Sequence, residues 1–179
     1  MNIFQQRFST GQVVAATGLP NATLQSWLKR DLIVGHKQYA PIQGGGSPGA
    51  HRTFSFFNVM EIAIAKALLD AGMGSVSDAC KAAMGFAHVG NGQIGDMRPE
   101  RRPGLPYNDA CLTVLCVRQE NSVVEIWKPK SDLFITARHR LGEGFVVLEI
   151  NPIFERVTHR LGHDYRDVLN FAYSVGDNS

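Results

Sequence analysis

The sequence predicts an α+β protein in two parts, and three observations carry that expectation. Two short helical patterns joined at Gly18 open the chain, a stretch rich in glycine and proline occupies residues 85–110, and apolar β-branched runs cover 111–118 and 122–127. The expected units are residues 1–86, a linker or ordered loop at 87–110, and a second α+β unit at 111–179 suited to dimerisation or sensing. A chain of 179 residues is long enough for one large domain or two small ones.

Residues 9–17 read as a short helix. Ser9 and Gln12 have capping-box spacing, and Val13, Val14 and Ala16 are its apolar positions. Gly18 stops it, because glycine takes a left-handed backbone at little cost. A second helix runs from about Asn21 to Arg30, with Leu24, Trp27 and Leu28 on one face. Two short helices about a tight glycine turn form a helix-turn-helix candidate. Residues 33–54 read as a hairpin: Ile33-Val34 and Arg52-Thr53-Phe54 are its arms, and the glycine-rich run 43–50 is a flexible tip. A third helix is expected from Ser55 or Phe56 to Ala71, ending at Gly72, and a fourth from Ser75–Val76 to Phe86.

In the second part, 111–118 and 122–127 read as a hairpin around Glu120-Asn121, and 132–138 and 144–150 as further strands. Asn151 is the expected cap of a helix over 152–161, with Pro152 at its first position and Gly162 as its stop. A last helix is expected from Asp164 to Val175. The arginines at 98, 101 and 102 in the linker suit either a solvated segment or phosphate contact.

Composition narrows the function classes. With 44% hydrophobic and 19% charged residues the chain is of ordinary globular type, and no apolar run approaches the ~18 residues of a membrane span. Residues 1–7 lack a signal-peptide core, so a cytoplasmic location and no membrane partner are expected. Three cysteines without a CxxC spacing (Cys80, Cys111, Cys116) suit packing better than disulfides or zinc. His159 and His163 have the spacing of two helical zinc ligands, but Gly162 falls between them and no third ligand is near, so no metal is expected. Gly44 and Gly49 have Walker-loop spacing, yet Ala50-His51 follow where lysine and Ser/Thr are needed. No nucleophile, base and orienting group stand in recognisable spacing, so neither catalysis nor a cofactor is expected. Net charge is only +2, but the basic residues lead: residues 1–72 hold six cations against three anions.

The segments Phe8–Leu19, Thr23–Ile33, Arg52-Thr53-Phe54-Ser55 with Val59, and Ala71-Gly72-Met73 occur in that order and spacing. Together they resemble the DNA-binding domain of MerR-family regulators: first helix, recognition helix, wing arginine-x-aromatic step and post-wing helix. The family usually has arginine and tyrosine where this chain has Gln25 and Ser26, and glycine where it has Asp31. Its long dimerising helix is not visible after residue 86. The resemblance implies a winged helix-turn-helix that binds double-stranded DNA as a homodimer and regulates transcription, with RNA polymerase as a further partner.

On that reading Asn21, Thr23, Gln25 and Ser26 face base edges from the recognition helix, and Gln25 has the two-pronged geometry for adenine. Lys29 and Arg30 suit phosphates, which position a protein without specifying sequence. Arg52 corresponds to the family's phosphate contact, or is a surface arginine paired with a nearby acid, and Lys37 and His51 join it from the wing. Trp27 shares the face of Leu24 and is expected in the core. Two other classes stay open: an architectural DNA-binder of the excisionase type, and a protein-interaction module that binds no DNA. The ~70 residues beyond the linker weigh against the first, and the low net charge motivates the second.

Overall fold

A computed structural model describes residues 2–34, 51–93, 99–108, 111–128 and 132–174. The class is mixed α+β. In chain order the elements are β1 (Phe8–Ser9), α1 (Thr10–Thr17), α2 (Asn21–Lys29), β2 (Thr53–Phe54), α3 (Phe56–Asp70), α4 (Val76–His88), β3 (Leu112–Arg118), β4 (Asn121–Trp127), α5 (Leu133–Leu141), β5 (Val146–Glu149), α6 (Asn151–Arg160) and α7 (Tyr165–Ser174), after a short 3-10 turn at Ile3–Gln5. β1 and β2 pair antiparallel, Phe8 opposite Phe54. The larger sheet has the order β4-β3-β5 and is antiparallel throughout.

Capping residues set most helix starts. Ser9 and Ser55 each close a capping box, with Gln12 and Asn58 respectively. Three helices end alike, in a Schellman motif. After α3 the Met73 amide reaches Leu68 O and the Gly72 amide reaches Leu69 O; after α6 His163 reaches Thr158 O and Gly162 reaches His159 O. After α2, Leu32 reaches Trp27 O and Asp31 reaches Leu28 O, so Asp31 adopts the left-handed conformation at φ 54°. α6 departs from expectation at its start. Ile150 is the cap and Asn151 lies inside the helix, its Oδ1 accepting from the Thr113 amide at 2.7 Å.

α3 organises the core. Ten of its residues are buried, and α4, α1, α6, β2 and β5 all pack on it. One hydrophobic cluster runs from Ile3 and Phe8 through Leu24, Trp27, Phe56 and Ile64 to Leu115, Phe154, Val168 and Ala172. It therefore draws residues from both sides of the expected 87–110 boundary. Leu115 and Val117 turn one face of the larger sheet to this cluster; Val114, Cys116 and Val123 turn the other to Ala137 and Leu141 of α5. No helix of the described residues is long and apolar enough to cross a membrane.

Two further expectations need correction. The run 132–138 is helical, not a strand: the Asp132 side chain accepts from the Ile135 amide and starts α5, whose Ala137 and Leu141, four apart, face the sheet. Ile33-Val34 is not the partner strand of Thr53-Phe54, which pairs with Phe8-Ser9 instead. The amide of Val34 donates to Glu61 Oε1 and its carbonyl accepts from Asn58 Nδ2, both at 3.0 Å, so neither is free for a ladder. The glycine-rich tip at 43–50 lies outside the described residues.

The described part of the expected linker is ordered. Asn91 and Arg101 exchange backbone hydrogen bonds. Arg101 is buried rather than solvated. Its guanidinium donates to the carbonyls of Phe86, Val89, Arg102 and Leu105 and to Asn91 Oδ1, and lies 4.7 Å over the Phe86 ring. Arg102 donates to the Ala172 carbonyl and its amide to Tyr173 Oη, joining this segment to α7. Gly104, at φ 70°, is required here, since a Cβ would lie 2.9 Å from the Phe57 ring. These arginines are therefore structural; Arg98 lies outside the described residues.

Arg101→Met is expected to lower stability by about 3 kcal/mol, because it leaves several buried carbonyls without a donor; urea denaturation measures it. Burial raises the Cys80 thiol to about 12 and the Cys116 thiol to about 11. Both stay protonated at neutral pH, so native protein at about pH 8 should expose only the half-buried Cys111 to a thiol reagent, the other two reacting after unfolding.

Candidate nucleic-acid interface

α1 and α2 are joined by Gly18-Leu19-Pro20. Gly18 sits at φ 69° and its amide bonds to Val14 O at 2.9 Å. Thr17 braces the turn: its hydroxyl donates to Val13 O and accepts from the Leu19 amide. Arg160 of α6 donates to the carbonyls of Ala15 and Ala16, satisfying the end of α1 from across the chain.

The apolar stripe of α2 fixes which residues face outward. Leu24, Trp27 and Leu28 are buried, as their spacing predicts. Asn21, Ser26, Lys29 and Arg30 are exposed, and Thr23 and Gln25 lie half-buried at the margins of the exposed face. Trp27 is thus a packing residue, unavailable for stacking on a partner.

Two sequence-distant candidates meet at this face. Arg52 Nη1 donates to Gln25 Oε1 at 2.8 Å, and Gln25 Nε2 donates to Asn21 Oδ1 at 3.2 Å. The result is a polar chain from the foot of β2 to the first turn of α2. It holds the Gln25 amide in one orientation while leaving it a second N–H and a second lone pair. Arg52 Nε is buried with no hydrogen-bond partner among the described residues. His51 is exposed beside Arg52; Lys37 lies outside the described residues.

Residues that sequence reasoning passed over support this face. Arg7 donates to the Thr53 carbonyl at 3.1 Å, holding β2 where Arg52 can reach α2. Asn58 and Glu61 hold Val34 on α3, and Thr53-Phe54 is held on β1. Glu61 also bonds His88 at 2.8 Å, tying the anchor to the end of α4. The one sequence signal for Glu61 was an acid inside an otherwise apolar helical run. His163, paired in sequence with His159, bonds Gln6 Oε1 at 3.2 Å beyond the end of α6. The described residues contain no group of three His, Cys, Asp or Glu placed to hold a metal ion.

No protein-family model matches the chain, and no curated protein sequence matches it.

Position 31 offers a local test. A left-handed backbone costs a residue with a side chain about 1 kcal/mol, and a β-branched one more. Asp31→Val is expected to lower the melting temperature, while Asp31→Gly keeps α2 and its stop intact by circular dichroism.

Proposed function

We propose that residues 1–86 form a winged helix-turn-helix that binds double-stranded DNA, and that the protein regulates transcription as a homodimer without catalysing a reaction. The observation that carries this reading is the Arg52–Gln25–Asn21 chain. A basic residue from the foot of the wing and a base-reading amide on the candidate recognition helix share one outward face with Ser26, Lys29 and Arg30. A helix presented in this way reads base edges from its first turns, while cations at its end and on the wing neutralise phosphates.

The roles divide by chemistry. Gln25, fixed by Arg52 and Asn21, presents an acceptor and a donor side by side, the pair that adenine matches in the major groove. Thr23 and Ser26 contact neighbouring bases. Lys29 and Arg30 hold phosphate, and His51 and Arg52 hold the adjoining backbone. Asp31 supports the same reading, because the family this segment resembles usually has glycine at that position and Asp31 takes a glycine-like backbone. A cytoplasmic location and promoter DNA, with RNA polymerase alongside, belong to this proposal.

Fluorescence anisotropy of mixed-sequence duplex DNA across a salt series tests it. Binding should weaken steeply with salt, and Lys29→Ala should flatten the slope of log K against log salt by about one. Gln25→Ala should cost about 1–3 kcal/mol on a selected operator and little on random DNA. Absence of binding even at low salt would overturn the reading and point to a protein partner.

A further inference from the structure

The larger sheet is left incomplete on one side. Among the described residues β5 is an edge strand, paired to β3 alone, and a free edge is a template for another strand. α5 packs mainly on β4 and β3 on the outer face. The uncovered strip carries large apolar side chains: Phe134 is 57% exposed, Ile135 60% and Val147 48%. Val147 shares its face with Cys116, its partner in register, and Phe134 packs its ring on Phe145 at 5.4 Å. Val147 and Phe134 therefore lie beside the open edge.

Charge on this strip is self-complementary. α5 ends in Arg138, His139 and Arg140, all exposed, and Arg138 lies one turn from Phe134 on the same side. The strand side carries the acids. Glu149 is exposed at the end of β5, and Glu143, in the turn before it, stands 4.0 Å from Arg138 of its own chain. A surface bearing both an apolar strip and both signs of charge suits a two-fold contact, in which each patch meets its own copy.

We propose that the occupant of this strip is a second copy of the chain, joined by antiparallel pairing of β5 with β5 into a continuous six-stranded sheet. This names the surface behind the homodimer of the proposed function and rests on that part of the reading. A two-fold axis perpendicular to the sheet places same-face residues opposite each other. Centred on Val147, it sets the two Val147 side chains together and puts Glu149 of each copy beside Phe145 of the other. Glu149 then lies along the Phe134–Arg138 side of the second copy's α5, within reach of the guanidinium. The two α5 helices close over the joint from either side and cover Phe134 and Ile135.

Sedimentation equilibrium without DNA is the test. The full chain should be dimeric in the micromolar range. Val147→Asp, which sets like charges opposite each other, and Ile135→Asp should each raise the dissociation constant at least about tenfold with unchanged circular dichroism. Arg138→Glu should weaken the dimer and the added Glu149→Arg should restore it. A monomeric wild type, or a dimer indifferent to both aspartates, overturns this interface. A dimer that dissociates as described but binds no DNA upholds the interface and overturns the DNA reading. Tight operator binding by a monomer does the reverse.

Discussion

A helix that is apolar on every side must be surrounded. α3 is such a helix, buried from Phe56 to Leu68 with few gaps, and the other elements are arranged by the need to cover it. α4 runs back along it, α1 and α6 close two further sides, and β2 and β5 reach it from the two sheets. This requirement draws the amino-terminal helices and the carboxy-terminal helices into one core. Asn58 and Glu61 add a polar condition. Buried on the same helix, they require partners, and they find them in the Val34 backbone and His88.

Much of this was legible in the residues. Short-range chemistry marked the capping serines, Gly18, Gly72 and Gly162, and the stripe Leu24-Trp27-Leu28 marked the inner side of α2. The strands β3 and β4 followed from their β-branched runs. Where reasoning failed, a contact distant in sequence decided the outcome. Leu133 to Arg138 has the composition of a strand, but a capping aspartate and the empty face of the sheet make it a helix. Ile33-Val34 has the composition of a hairpin arm, but side chains of α3 take its backbone groups.

The candidate site divides the same way. Periodicity alone set Asn21, Ser26, Lys29 and Arg30 outward. That Arg52 would bond Gln25, 27 residues earlier, could not be read from spacing, nor could the burial of Arg101 among carbonyls in a stretch whose composition suggests a solvated linker. Both follow from where the chain returns, which local propensity does not encode. They also show two fates of arginine in one chain: Arg101 turned inward as a brace, Arg52 left at the margin of an outward face.

Arg160 has a consequence for how the chain is made. It caps α1 across 144 and 145 residues of sequence. During synthesis, α1 and its turn emerge before α6 and wait for it before that end is closed and its flank covered. Such long-range closure slows folding, because the intervening chain must be ordered before the contact returns any stability. The helices α1 and α2 therefore complete their native environment only after α6 has left the ribosome.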